Sequence, residues 1–270
     1  MGDSRRSQSP ISVAIIAKNE DERLPNCLRS ASFADEVVVV DSGSEDNTLQ
    51  VAESFGAKII VEPWRGYSGQ KQFAVDQCTH DWVLILDADE RVPDRTAAII
   101  REEITRHPSG IAAFSFQRKN YLHGRWIRHC GWWPDRIVRL VHRQKGGFDG
   151  RAVHEKWVPR GVVKALDTFI EHISFRNYSE LVAKMENYSN LASEEILEKG
   201  ARVNPFAPPL HGLWMFLRTY ILEMGVLDGF DGFVISVMNG GGSFLKYAKA
   251  REKAGSRRTA RARPQSGSKC

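Results

Sequence analysis

Three acids within four residues, Asp87, Asp89 and Glu90, close the apolar run Trp82-Val-Leu-Ile-Leu86. Such a run reads as a buried strand, and in open α/β sheets ligands bind in the crevice outside the carboxyl ends of the strands. Asp87 and Asp89 would therefore stand at a site. Oxygen pairs of this kind suit a hard divalent cation, and Mg²⁺ usually takes one or two carboxylates together with phosphate oxygens from its ligand. The chemistry points to phosphate-bearing ligands. Asp-x-Asp also arises by chance in solvated turns, so the neighbours must decide. A second apolar run, Glu36-Val-Val-Val-Val-Asp41, ends in an acid in the same way.

The elements that must position these acids follow from hydrophobic periodicity. Strands are expected at Ile11 to Ala17, Glu36 to Asp41, Lys58 to Glu62 and Val83 to Leu86. Helices are expected between them, at Asp21 to Phe33, Thr48 to Phe55 and Gln70 to Cys78. The segment Ser42-Gly-Ser-Glu-Asp-Asn-Thr48 is turn and cap chemistry. This alternation predicts an α/β fold with a mostly parallel sheet flanked by helices. A helix at Thr96 to His107 and strands at Ala112 to Arg118 and Ile137 to His142 follow. Asn120 to Asp135 is rich in aromatics and glycine without a clean period, as a substrate loop would be. Ser179 to Lys199 reads as a helix, and 205–253 is apolar but broken by Gly and Pro.

The chain of 270 residues can bury one substantial core with an appended smaller unit. The net charge of +5 is concentrated at the end: residues 251–270 hold seven Lys or Arg against one acid, so the remainder is close to neutral. The basic balance thus describes a tail, not a nucleic-acid groove, although a tail of Lys and Arg attracts phosphate of any origin. Cys27, Cys78, Cys130 and Cys270 are scattered, with no Cys-x-x-Cys pair, which argues against a zinc site or disulfide framework and fits a reducing cytoplasm. Val13 to Ala17 is too short for a signal-peptide core. Leu210 to Leu222 is apolar but short of the ~20 residues a span needs and carries Arg218. Helices lying in a membrane interface are expected there, with the basic tail drawn to an anionic surface.

Taken in order and spacing, Ile15-Ile-Ala-Lys-Asn-Glu20, Val37-Val-Val-Val-Asp-Ser-Gly-Ser-Glu-Asp-Asn-Thr48 and Leu84-Ile-Leu-Asp-Ala-Asp-Glu90 resemble the family 2 glycosyltransferases of GT-A fold. The sequence is most similar to the branch that builds the lipopolysaccharide core and includes a beta-1,4-glucosyltransferase. Gln70-Lys-Gln72, Val153-His-Glu155 and Leu227-Asp-Gly-Phe-Asp-Gly-Phe233 extend the resemblance over nearly the whole chain apart from the tails. The resemblance implies that Asp41 bonds a nucleotide base, with Ala17 and Glu20 near the same pocket. It implies that Asp87 binds ribose or helps orient a metal, and that Asp89 coordinates Mg²⁺ or Mn²⁺ bridging a diphosphate. Lys71, Arg136 and Arg139 are candidates to offset the charge of the departing nucleoside diphosphate. Inverting transfer needs a carboxylate to take the acceptor proton. Glu155 is the first candidate base and Asp135 the second; His154 either orders the site or reaches the metal.

The implied protein is a metal-dependent hexosyltransferase using a UDP-sugar and a lipid-linked saccharide, cytoplasmic and peripheral at the inner face of the membrane. The implied organisation is a tail at 1–10, a GT-A nucleotide-sugar domain at 11–175, a helical extension at 176–253 and a disordered basic tail at 254–270. A phosphatase using Asp-x-Asp-x-Thr is disfavoured because Arg91 stands at the Thr position, and a nucleotidyltransferase because Ala17-Lys-Asn-Glu20 lacks a Gly-rich phosphate loop. A non-catalytic membrane adaptor would need none of the acids.

Overall fold

A computed structural model describes residues 9–106, 110–150, 156–200 and 203–262, with side chains described as far as Gly255. His154 and Glu155 lie outside the described residues. The first strands and helices are β1 (Ile11–Ala17), α1 (Leu24–Ser30), β2 (Glu36–Asp41), α2 (Thr48–Ser54), β3 (Lys58–Val61), α3 (Gly66–Asp76) and β4 (Trp82–Asp87). Then come β5 (Glu90–Arg91), α4 (Asp94–Thr105), β6 (Ile111–Leu122), β7 (Arg125–Trp126), β8 (Arg136–His142), β9 (Gly146–Phe148), β10 (Trp157–Pro159) and β11 (Val162–Phe175). Three long helices close the chain: α5 (Tyr178–Glu198), α6 (Ala207–Leu217) and α7 (Gly229–Ala262).

The main sheet runs in the order β3-β2-β1-β4-β8-β6-β11-β5. β3, β2, β1 and β4 are parallel, and β8 and β6 extend them in antiparallel pairing. The connections from β1 to β2 to β3 move one way and β4 lies on the other side of β1. The strand order therefore reverses between β1 and β4, the point at which open sheets bind ligands. Alternation along each strand feeds both faces: Val13, Ile15, Leu84 and Leu86 join one core cluster, while Ala14, Val83 and Ile85 join the other.

Several elements differ from expectation in their bounds: α3 begins at Gly66 rather than Gln70, and β6 runs on to Leu122 and pairs with β7, so the expected loop from Asn120 to Asp135 is partly strand. α1 is shorter than the predicted 21–33 because Pro25 sits in its first turn and the residues before it are engaged elsewhere. Asn19 N–H donates to Ser44 Oγ (2.8 Å), Glu20 N–H to Thr48 Oγ1 (2.8 Å) and Asp21 N–H to Asp46 (3.2 Å). Asn19 adopts a positive φ of 55°, which Asn tolerates better than most residues. At the other end α7 remains helical to Ala262, past the expected start of the basic tail at 254.

The chain divides into two compact units, Met1–Asn120 with Pro134–Ser174, and Tyr121–Trp133 with Phe175–Cys270. The second has its own apolar cluster, Leu122, Ile127, Cys130, Phe175, Leu181 and Ile235.

Candidate active site

Register places the acids around the end of β1. Ala17 pairs with Asp41 on one side, and Ile16 with Asp87 on the other. The two acidic strand ends thus flank β1. Asp41 is fully buried, and its Oδ1 accepts the Gly43 and Ser44 N–H groups at 2.8 Å each while Oδ2 accepts the Ser44 hydroxyl. It shapes the loop after β2. Ser42 N–H donates to Ala17 O (2.9 Å), locking that loop onto β1. Glu20 begins the facing loop, its carboxylate 3.6 Å from Arg23.

Asp87 lies between two cations. Lys71 Nζ, on α3 and 2% exposed, stands 2.8 Å from Oδ1, and Arg139 Nη2, on β8, donates to Oδ2 at 2.7 Å. The same Arg139 nitrogen donates to Glu90 Oε1 at 2.7 Å, and Glu90 is fully buried on β5. Burial opposes ionisation of Asp87, but Lys71 and then Arg139 outweigh it and hold the carboxyl well below the usual carboxylate range. Lys71 is placed by its neighbours: Gln70 is buried and donates to Ser42 Oγ (3.1 Å) and Glu62 O (3.2 Å), and Gln72 accepts the Phe148 N–H (3.0 Å). The Gln-Lys-Gln run therefore reads as one charged residue fixed by two amides.

Asp89 has a different setting. Its Oδ2 is 3.3 Å from His172 Nε2 on β11, while its Oδ1 is buried with no hydrogen-bond partner among the described residues. Burial raises the Asp89 pKa and His172 more than reverses it, leaving the carboxylate ionised below its ordinary range. β5 pairs with β11 so that Glu90 lies opposite His172, and Ile173 N–H donates to Asp89 O (2.9 Å), which fixes this contact in the backbone. His172 Nδ1 is 2.6 Å from Asn120 Oδ1 and 2.9 Å from Ser174 Oγ. Asn120 Nδ2 in turn donates to Asp135 Oδ2 (3.2 Å), which also accepts Arg118 Nε (2.8 Å). Arg118 comes within 3.6 Å of Glu90, closing a polar network from Lys71 to Asp135.

The structure thus unites Asp87, Asp89, Lys71, Arg139 and Asp135 in one network. Arg136 points elsewhere, donating to the Ser115 (3.2 Å) and Leu166 (3.4 Å) carbonyls. Arg118, Asn120 and His172 are members that the sequence did not single out, and Glu90, the third acid of the run, had no role assigned to it. Cys27 donates weakly to Asp87 O (3.6 Å) from beneath. Burial first, and then Glu90, Asp89 and Asp87, push its thiol well above the ordinary value, which disfavours the thiolate.

An unpartnered, ionised, buried carboxylate oxygen is a fitting donor for a hard cation, and His172 Nε2 is a nitrogen donor at hand when neutral. No group of three or more His, Cys, Asp or Glu among the described residues is arranged to hold a metal by itself. The Asp89 site therefore suits a cation completed by oxygens of a ligand.

The model of the family described as "Glycosyl transferase family 2" matches residues 12–166, which include Asp41, Lys71, Asp87, Asp89, Asp135 and Arg139 but not His172. The chain belongs to glycosyltransferase family 2. LpsC of Rhizobium meliloti, a lipopolysaccharide core biosynthesis glycosyltransferase, is 32% identical over 256 residues, covering 89% of this chain and 91% of its own. An uncharacterised glycosyltransferase of Rickettsia typhi is 31% identical over 254 residues, 90% of this chain and 87% of its own. Among solved structures, glucosyl-3-phosphoglycerate synthase of Mycobacterium tuberculosis with Mn²⁺ and UDP-glucose aligns at a TM-score of 0.34 and 22% identity, covering 43% of this chain and 44% of that one. As a family 2 glycosyltransferase the chain carries the mixed α/β sheet expected of its sequence, with the acids at the switch point of that sheet.

Proposed function

We propose that this family 2 glycosyltransferase moves a hexose, with inversion, from a UDP-sugar to a lipid-linked saccharide of the lipopolysaccharide-core kind, at the inner face of the membrane. The observation that carries the reading is Asp89: an ionised carboxylate at the switch point of the sheet with one buried oxygen unpartnered among the described residues, two positions from Asp87 and the two cations that pair with it. Family membership and the full-length similarity to LpsC support the acceptor class.

Asp89, with His172 beside it, would hold Mg²⁺ or Mn²⁺. When bound, the cation supplies electrostatic stabilisation to the diphosphate as it departs. Lys71 and Arg139 add fixed positive charge on the same side, already oriented by Asp87 and Glu90, so no reorganisation is needed when charge develops. Asp41 and the interlocked loops after β1 and β2 would frame the nucleoside. Glu155 is assigned the proton of the acceptor hydroxyl. Asp135 is left as the second candidate, its Oδ2 being already engaged by Arg118 Nε and Asn120 Nδ2.

The test is turnover of a panel of UDP-sugars by the purified chain with Mg²⁺ or Mn²⁺ and an acceptor extracted from lipid. Asp89→Ala should lower transfer by about a hundredfold or more while leaving the circular dichroism unchanged. Glu155→Gln should lower kcat by at least about a hundredfold with little change in donor affinity. Transfer by Asp89→Ala at the wild-type rate, or no metal-dependent binding of any nucleotide sugar, would refute the reading.

A further inference from the structure

The second unit ends in an α-hairpin whose faces are sharply divided. α6 and α7 pack through glycine: a Cβ on Gly212 would lie 3.0 Å from Phe244 Cβ, and one on Gly240 would lie 3.0 Å from Gly212 O. With that face closed, Phe206, Leu210, Leu213, Trp214, Leu217 and Ile221 follow helical spacing along the opposite, exposed face. Between the helices the chain makes a wide turn over Arg218–Leu222 and a tight one over Gly225–Asp228. Ile221, Leu222, Met224, Val226, Leu227 and Phe230 on this tip are 50% to 70% exposed. Soluble monomers rarely leave so continuous an apolar surface bare.

The backbone of the tip is bonded within the protein. Glu223 N–H donates to Arg218 O (2.8 Å), Met224 N–H to Ile221 O (3.1 Å) and Leu227 N–H to Met224 O (2.9 Å), while Glu223 O accepts Cys130 N–H (2.9 Å). A turn whose polar groups are satisfied in this way can enter a medium without water at lower cost.

Charge follows the same division. Residues 203–244 contain three acids, Glu223, Asp228 and Asp231. Asp228 and Asp231 are buried; Asp231 accepts His123 (2.8 Å), Arg125 (2.9 Å) and Tyr178 (2.6 Å), and Asp228 accepts the His129 N–H (2.7 Å). Glu223 is paired with Arg218 at 2.9 Å. Arg125 and Arg218, although paired with Asp231 and Glu223, are 48% and 52% exposed while those carboxylates are 6% and 24% exposed, and Arg128 is exposed as well, so the base of the apolar tip turns its cationic groups outward. An apolar tip with a cationic collar matches the interior and the headgroups of an anionic bilayer, whereas a second copy would bring cation against cation.

We propose that the α6–α7 tip, 221–230, is a membrane-insertion element that seats the protein on an anionic phospholipid surface. It deepens the reading of a lipid-linked acceptor and rests on it for its purpose, but the binding itself needs neither donor nor acceptor. No helix of the described residues is long and apolar enough to cross a membrane, so the tip enters one leaflet only.

The experiment is flotation of the full chain with vesicles of phosphatidylcholine alone or mixed with phosphatidylglycerol, beside Leu222→Glu/Leu227→Glu. Wild type should float with the anionic vesicles and bind neutral ones more weakly. The double variant should bind at least about tenfold less, since two inserted leucines are lost, with an unchanged unfolding midpoint because both side chains are exposed. Equal flotation of variant and wild type, absence of wild-type binding, or a solution dimer that the substitutions dissociate would overturn it. Vesicle binding without sugar transfer would count against the proposed reaction and leave the insertion element standing.

Discussion

Asp87 and Asp89 are two residues apart and have opposite fates. Asp87 is saturated: Lys71 and Arg139 occupy its oxygens, and its charge is structural as well as chemical. Asp89 keeps one oxygen without a partner among the described residues, which is the condition for taking up a cation. The contrast gives Lys71 a double role, testable by substitution. Lys71→Met fills the same buried volume without the ammonium and leaves Asp87 with Arg139 alone. Breaking one side of a buried ion pair costs on the order of 3 kcal/mol, so chemical denaturation at neutral pH should show a loss of roughly that size together with loss of transfer. The deficit should shrink as pH falls below about 4, where Asp87 freed of Lys71 protonates more readily than in the wild type. A variant as stable as wild type at neutral pH would show that Arg139 alone holds Asp87.

At the scale of elements, the pattern after Leu227 explains itself as backbone proximity. A Cβ on Gly232 would lie 1.8 Å from Gly225 O, and one on Gly225 would lie 2.8 Å from both Cys130 Sγ and Thr219 O. The Asp-Gly-Phe-Asp-Gly run thus pairs acids that bind the 123–129 segment with Gly229, which takes a positive φ of 63°, and Gly232, which lets the start of α7 touch the turn at Gly225. Gly232→Ala should therefore lower stability by about 1 to 3 kcal/mol or more through overpacking. Gly241→Ala, where the new Cβ meets only Met185 Sδ at 3.6 Å, should raise it by about 0.5 to 1 kcal/mol through helix propensity. Thermal unfolding of the two variants should move in opposite directions. Periodicity made the first seven elements legible, because β1, β2 and β4 are apolar runs bounded by turn residues. β11 carries the weaker period-2 signal of a half-buried strand: Leu166, Thr168 and Ile170 are buried and alternate with Asp167, Phe169 and Glu171. The same strand carries His172 to the site. The roles of Glu90 and Arg118 were illegible for a different reason: they depend on antiparallel pairings that local pattern does not specify.

At the scale of the molecule, stability should depend on acid in one direction. Asp87, Asp89 and Asp231 all have native pKa values below their ordinary ones, although burial raises each of them, because cations and hydrogen bonds prevail. Asp35, bonded by Arg101, and Glu36, bonded by Ser12 and Thr79, shift the same way. A carboxylate depressed in the native state binds fewer protons there than in the unfolded chain. It therefore contributes stability that is complete above the unfolded value of about 4 and is lost as pH falls toward the native one. These groups lie in both compact units, so neither should be spared. Unfolding midpoints should be nearly level from neutral pH to about 5 with respect to these groups and fall steeply below about 4. Added Mg²⁺ or Mn²⁺ with UDP should raise the midpoint at neutral pH by mass action, and lose that effect as Asp89 protonates. In Asp89→Ala the metal-dependent increment should vanish while the acid-induced fall persists, since the other four carboxylates remain. Retention of the full increment by Asp89→Ala would place the cation elsewhere.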